Sequence, residues 1–288
     1  MTTMIAKKEF TKSKVLYNLG GVLKILLGLT IAFPIIYGLW LSINTNGNIA
    51  AMRYFTFDFT LENYREVFME FNVFRYVANS FIYVAICVVS QVITCSLAAY
   101  SFVFFDYKFK GLLFTIITLT MMIPGDLTMI SIYQLNHDLH LLNTYAGLIL
   151  NGLISGFSIL LMRNYFESIS FTLSESSRID GASELRIFSN IYMPVSLPGL
   201  ATVFFMEYVA RWNSITIPAA ILTKESMYTL PLKLKTMILS TDSTSGTAQI
   251  PDNAIMAAIV ITAAPLLLIY IFAQRFLLSG LNLGATKG

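Results

Sequence analysis

Charge is what this 288-residue chain has least of: 12% of its residues are Asp, Glu, Lys or Arg, against roughly 25% in an ordinary soluble domain. Water is therefore not its main solvent. A net charge of only +3 gives no basic surface for nucleic acid. The two cysteines, Cys87 and Cys95, exclude a disulfide scaffold. On one predicted helix they stand about 12 Å apart, beyond the roughly 7 Å between Cα atoms that a disulfide allows. The two histidines, His137 and His140, flank Asp138, but nothing nearby completes a metal-ligand set, and the trio reads as a solvated loop. There is no Gly-x-x-x-x-Gly-Lys-Ser/Thr phosphate loop, no His-Glu-x-x-His and no Gly-x-Ser-x-Gly. The residues therefore carry no recognisable catalytic site, and the chain is not expected to hydrolyse ATP by itself.

What is abundant is apolar surface, in 56% of residues. Charge-free runs at 25–43, 76–105, 141–162 and 253–274 are each near the roughly 20 residues that span a bilayer. Runs at 111–133 and 195–217 are equally apolar but carry Asp126 in one and Glu207 with Arg211 in the other. The expectation is six spans. Lys7, Lys8, Lys12, Lys14 and Lys24 precede the first run in the manner of a signal peptide. The run is longer than a signal core, however, and 42–48 offers no convincing small-x-small cleavage site, so it reads as an anchor. An inside N-terminus places twelve Lys and Arg residues on the cytoplasmic side and six outside, as the positive-inside rule asks. Both termini are then expected in the cytoplasm.

The aromatic stretch Tyr54 to Phe59 in the outer loop 44–72 reads as an interfacial segment rather than a domain. The short link Asp106-Tyr107-Lys108-Phe109-Lys110 makes the second and third spans antiparallel neighbours. The cytoplasmic stretch 164–192 is polar yet patterned. Thr172 with Glu175 fits a capping box, so a short helix is expected from about Leu173. Asp180-Gly181 should end it, because glycine accepts the left-handed turn. Ser183 then caps a second helix through Ile191. A helix this short is marginal alone and reads either as a knob for a partner's groove or as a plain solvated connector.

The ionisable residues within spans need a reason to be there, since a charge at a helix centre costs about 2.5–3.5 kcal/mol on insertion scales. They should face protein or water. Glu207 and Arg211 stand at the i, i+4 spacing with the acid first, the favoured order for a helical ion pair. A self-neutralising structural pair is preferred over substrate contact. Asp126 follows Pro124-Gly125, a dipeptide that loosens a membrane helix where water or neighbours can take up the freed backbone groups.

The run Glu175-Ser176-Ser177-Arg178-Ile179-Asp180-Gly181-Ala182-Ser183, followed by Ile187-Phe188, Ile191, Pro194 and Pro198, resembles the EAA loop of bacterial ABC importer permeases, in its carbohydrate-uptake, maltose-permease-like branch. Met122-Ile123-Pro124-Gly125, Trp212-Asn213 with Pro218, and the tail from Gln274-Arg275-Phe276 to Gly284-Ala285-Thr286-Lys287-Gly288 agree with it. The chain departs from the pattern at Ser170, Ser176 and Ser177. The resemblance covers roughly 71–288 and implies an all-α integral membrane protein of six transmembrane helices with a cytoplasmic coupling helix, the type I ABC importer permease fold. It implies a basic cytoplasmic segment over 1–24, a first helix and outer loop over 25–70, and a transmembrane core over 71–288 holding the EAA loop at 164–192.

By the same resemblance, Glu175, Ser176, Ser177, Arg178, Asp180, Gly181 and Ala182 couple the chain to a cytoplasmic ATPase. Two such ATPases bind the ATP and Mg; this chain binds no cofactor. The other implied partners are a second six-helix permease in a heterodimer, an extracytoplasmic solute-binding protein facing the loop 218–252, membrane lipid, and a mono- or oligosaccharide. Asp126, Asn151, Arg211 and Asn213 are candidates to line the sugar path, each equally readable as inter-helix glue. The expected location is the bacterial cell membrane. A proton-coupled secondary transporter using Asp126 or Glu207 as a relay is the alternative, but no matching interrupted helices appear in corresponding halves. A non-transporting scaffold would explain the helices and leave the loop's sequence unexplained.

Overall fold

The computed structural model describes the backbone of residues 2–45, 57–69, 71–241 and 251–285, with side chains described from 20 to 276 apart from Asp126, Ser240 and Thr241. Among the described residues every regular element is helical, save one isolated bridge between Asn44 and Phe59. The chain groups into two compact units, 1–71 with 245–261 and 72–244 with 262–288.

In the first unit, α1 (Thr2–Ser42) carries Pro34 inside it. Its apolar side chains point outward, Ile31 at 73% exposure and Ile25 at 64%, as a helix does whose solvent is hydrocarbon. The chain beyond it is fastened by polar side chains around a short α2 (Glu62–Met69). Asn63 Nδ2 donates to the carbonyls of Ser42 at 2.9 Å and Asn44 at 3.0 Å. The Ser42 and Tyr64 hydroxyls meet at 2.8 Å. Trp40 stands edge-on to Phe57 and Phe59. The expected interfacial stretch is thus seen in part: Tyr54, Phe55 and Thr56 lie outside the described residues.

The second unit is organised on α3 (Val73–Phe104), a continuous helix that buries Tyr83, Cys87, Gln91, Cys95, Ala99 and Tyr100. Around it the chain is repeatedly interrupted. The expected third span is α4 (Lys110–Thr120), a 3-10 turn at Gly125–Thr128, and α5 (Met129–Asp138). The fourth is α6 (Tyr145–Leu150), a turn at 151–153, and α7 (Gly156–Ser168). The segment 172–195 forms α8 (Thr172–Ile179), α9 (Glu184–Ile187), a π-helical turn at Phe188–Tyr192, and α10 (Met193–Val195). A 79° bend then leads into α11 (Leu197–Trp212). There follow α12 (Thr216–Ile221), α13 (Leu230–Thr241) and α14 (Asp252–Ala285), of which the residues up to 261 group with the first unit.

Of the six expected spans, three are thus single helices of spanning length: Gly20–Ser42, Val73–Phe104 and Asp252–Phe276, with the bent pair Glu184–Val195 and Leu197–Trp212 making up to a fourth. The spans expected at 111–133, 141–162 and 195–217 are assembled from shorter helices. Proline and glycine explain two breaks: Pro124 has no N–H to give to a helix, and Asn151-Gly152 forms a turn.

A broken helix in an apolar solvent leaves backbone groups that must find partners inside the protein, and at the 151–155 break α3 supplies some of them. Thr94 Oγ1 donates to the Leu153 carbonyl at 2.5 Å, and Cys95 Sγ meets both the carbonyl and the N–H of Ser155. Near the other end Asn79 Nδ2 donates to the carbonyls of Ser226 (3.1 Å) and Tyr228 (2.9 Å), while its Oδ1 accepts from the Tyr145 hydroxyl. Ser80 Oγ accepts from the Leu230 N–H at 2.8 Å. Both cysteines are free and buried.

The approach at the 151–153 turn is so close that a Cβ on Gly152 would stand 2.1 Å from Cys87 Sγ. Gly152→Ala is therefore expected to cost about 1–3 kcal/mol by overpacking. Adding Cys87→Ala should return most of that loss, read as thermal unfolding in detergent. Equal losses in the single and double variants would show that the sulfur is not what the new methyl meets.

Candidate functional site

The EAA-like loop is built on one short helix outside the core. In α8 only Ser174 is buried, its hydroxyl turned back to the Phe171 carbonyl at 2.7 Å. The capping box expected from Thr172 and Glu175 is corrected by the structure. Phe171 is the N-cap residue with no side-chain cap, and the Thr172 hydroxyl pairs with that of Ser170 at 2.7 Å. The aromatic contact of Phe171 with Phe104 (5.4 Å between centroids) moves the helix start one residue early, a tertiary contact overriding a local preference. Ser183 precedes α9 but makes no side-chain cap, while the expected helix does run on through Ile191, its turn at Phe188–Tyr192 being π-helical.

The other end of α8 follows the sequence closely. Gly181 has φ +79°, its N–H bonds the Arg178 carbonyl and the Ala182 N–H bonds the Ser177 carbonyl, each at 3.0 Å. That is the two-bond Schellman closure. Glu175, Ser176, Arg178, Asp180 and Gly181 are exposed, Ser177 and Ala182 half-buried. Ile179 is 86% exposed and Leu185 69%, an apolar pair on a segment lying beyond the spanning helices.

Arg178 does not point away from the chain. Its Nε and Nη2 donate to Glu184 Oε1 and Oε2 at 2.6 and 3.2 Å. The Tyr100 hydroxyl of α3 donates to the same Oε2 at 2.9 Å. Tyr100 sits among Phe104, Phe166, Phe188 and Tyr192, with centroids 4.6–6.1 Å away. The Arg178 hydrogen bond is the main cause that holds the Glu184 carboxyl below its usual range, and the same bond raises Arg178. A carboxylate lowered in the folded state contributes above its ordinary value of about 4.3 and loses that contribution as pH falls through the lowered value. At neutral pH the bridge is formed.

The second constellation is interior. Glu207 is 6% exposed; its Oε1 accepts from Ser158 Oγ at 2.5 Å, and its Oε2 lies 3.7 Å from Arg211 Nη2. The guanidinium is lodged where Gly152 has no side chain, a Cβ there falling 3.4 Å from Arg211 Cζ. Gln91 is fully buried on the Tyr83–Cys87 face of α3 and its amide finds no partner among the described residues. A buried acid thus meets a hydroxyl and a cation, the arrangement that keeps a charge tolerable in a low-dielectric interior.

The other path candidates are not gathered with it. Asn151 Nδ2 turns back to the Gly147 carbonyl at 2.6 Å. Asn213 is exposed at the end of α11 and lines a separate groove of about 340 Å³ with Ile215, Pro231, Leu234, Lys235 and Thr262. Asp126 lies on the 3-10 turn, its side chain outside the described set. The residues that sequence reasoning missed are Ser158, Glu184, Tyr100 and Asn79. Ser158 and Tyr100 meet partners far along the chain, which no local periodicity signals; Gln91 was legible, falling four residues after Cys87 on the buried stripe.

Interrupted helices packed on one continuous helix, with a short exposed helix closed by a left-handed glycine, describe an all-helical protein with several helices long and apolar enough to cross a membrane. Residues 92–282 match the family described as binding-protein-dependent transport system inner membrane component, and the chain belongs to that family. It is 28% identical over 230 residues to the arabinooligosaccharides transport system permease protein AraQ of Halalkalibacterium halodurans, covering 80% of each chain. It is 29% identical over 274 residues to the sn-glycerol-3-phosphate transport system permease protein UgpE of Brucella abortus, covering 92% of this chain and 95% of the relative. To UgpE of Yersinia pestis it is 32% identical over 203 residues, 70% of each. Among solved structures it superposes with TM-score 0.82 and 26% identity on a chain from the crystal structure of a bacterial ABC transporter involved in the import of the acidic polysaccharide alginate, covering 92% of this chain and 97% of that one.

The interior pair yields a test. Arg211→Gln alone, leaving Glu207 buried without its cation, should cost about 3–5 kcal/mol. Glu207→Gln with Arg211→Gln should cost clearly less, measured by unfolding in detergent micelles. A double variant as damaged as the single would mean that neither charge compensates the other.

Proposed function

We propose that this chain is one permease subunit of an ATP-driven importer, forming with a second, related permease the path for a mono- or oligosaccharide. An extracytoplasmic solute-binding protein delivers the sugar, and two cytoplasmic ATPases, which hold the ATP and Mg, drive the cycle. The chain itself is a non-catalytic translocase subunit. Both termini face the cytoplasm, with 1–24 as a basic leading segment, 25–70 as first helix and outer loop, and 71–288 as the transporting core. The named relatives act on arabinooligosaccharides and sn-glycerol-3-phosphate, which supports a sugar-like cargo rich in hydroxyls. Glu207 and Arg211 neutralise one another, so the interior pair adds no net charge to the path.

The observation that carries this reading is the exposed helix α8. Eight residues with one buried side chain do not stand alone in water, and the flanking Ile179 and Leu185 are left open. A partner that covers them explains both facts, and in this family the place of α8 is that of the helix which seats in an ATPase cleft. On this reading Glu175 meets basic groups of the ATPase, Ser176, Ser177 and Asp180 line the contact, and Gly181 with Ala182 sets its angle.

Mild-detergent purification of the tagged chain from its native membrane, with mass spectrometry of what accompanies it, is expected to recover an ATPase, a second permease and a solute-binding protein. Recovery of the chain alone, still transporting after reconstitution without ATP, would overturn the reading. Gly181→Asp is expected to spare membrane insertion and clearly reduce ATPase recovery, since aspartate adopts the left-handed turn less readily than glycine and adds a charge to the contact. Full ATPase recovery and uptake in that variant would remove α8 from the contact.

A further inference from the structure

Within the proposed transporter, a force applied to α8 has to reach the helices that move, and most of α8 is not packed on them. Two fixings are visible. At its start Phe171 lies against Phe104 of α3. At its end Arg178 reaches across the Gly181 turn to Glu184, the first residue of α9, and Glu184 accepts from Tyr100 of α3. Apart from Ala182, half-buried against the aromatic cluster, these are the side-chain links that tie the end of α8 to the described core.

Arg178 is placed by its sequence neighbourhood among residues facing an ATPase. Its guanidinium is instead spent inside the chain, two of its N–H groups on one carboxylate. The bidentate geometry fixes direction as well as distance. Glu184 in turn has one oxygen shared between the arginine and a tyrosine that is 4% exposed and surrounded by rings. A single carboxylate thus joins the end of the coupling helix, the start of α9 and the last turns of α3.

Resting on the proposed ATPase coupling, we infer that Glu184 is a positioning residue for energy transmission: through Arg178 and Tyr100 it makes α8 and α3 move as one body when the ATPases close. Arg178 then serves the inside of the chain rather than the ATPase surface. The link is polar and half-exposed, so it carries orientation under load, while the aromatic cluster carries the folding stability of the region.

The test uses the complete transporter in lipid nanodiscs, spin-labelled at Leu173→Cys on α8, exposed and outside the residues placed in the ATPase contact, and Leu97→Cys on α3, with Cys87 and Cys95 left buried in place. The label separation is measured without nucleotide and after ATP and vanadate, and trapped vanadate is counted in each sample to establish closure. The parent complex should give one separation in both states. Glu184→Gln should keep it without nucleotide and, on trapping, raise a displaced population roughly fivefold, about 1 kcal/mol, the upper range of a half-exposed ion pair. Arg178→Glu combined with Glu184→Arg should reduce that population again.

An unchanged separation in trapped Glu184→Gln, or a parent separation that itself changes on trapping, overturns the inference. So does a displacement already present without nucleotide and not reduced by the exchanged pair, which would make the bridge a fold contact only. If no ATPase accompanies the parent complex, the coupling reading fails first, before any variant is made, and the inference with it.

Discussion

In a hydrocarbon solvent no water is available to a carbonyl that a helix has let go, so each break in a helix is a debt that some other part of the protein must meet. The break at 151–155 is met by the one unbroken helix, α3, which also holds two segments expected outside the membrane, 226–230 and the start of α9. Thr94 and Cys95 of α3 receive the polar groups of the 151–155 turn, Asn79 and Ser80 those of 226–230, and Tyr100 the carboxylate that begins α9. The polar side chains of α3 are therefore distributed along its length rather than collected at its ends. A helix that had to cross a membrane and nothing more would have no use for Asn79, Ser80 and Thr94, each bonded to a segment far along the chain.

The same constraint accounts for the interior acid. Glu207 on α11 meets Ser158 on α7 and Arg211 one turn along its own helix, and the guanidinium needs the space that Gly152 leaves. Position 152 is consequently squeezed from two sides, by Cys87 Sγ and by Arg211. A close backbone approach and a charge pair are thus one arrangement. The interrupted helices at 151–155 and the interior charge pair are parts of one packed arrangement around α3.

How much of this was legible beforehand depended on range along the chain. The long helices over 20–42, 73–104 and 252–276 announce themselves as apolar runs, and the Gly181 turn as a glycine after a helical stretch. The spacing of Glu207 and Arg211 brings their side chains onto one helix face. The breaks were half legible: Pro124-Gly125 marked one, while Asn151-Gly152 lay hidden inside an apolar run. The capping box at Thr172 misled because Phe171 prefers the ring of Phe104, a contact from another helix. Ser158 with Glu207 and Tyr100 with Glu184 are joined across 49 and 84 positions, and no periodicity foretells such pairs. Tyr54 to Thr56, the loop 242–250 and the tail Thr286-Lys287-Gly288 lie outside the described residues.

The claim that α3 bonds the interrupted segments is tested most directly by hydrogen exchange of the chain in nanodiscs, comparing the parent with Asn79→Ala. The account predicts faster exchange confined to 222–230 and to the start of α6, where Asn79 holds the Ser226 and Tyr228 carbonyls and the Tyr145 hydroxyl, with α7 and α11 unchanged. Unaltered exchange at 222–230 would contradict it, because those groups would then owe their order to something other than α3.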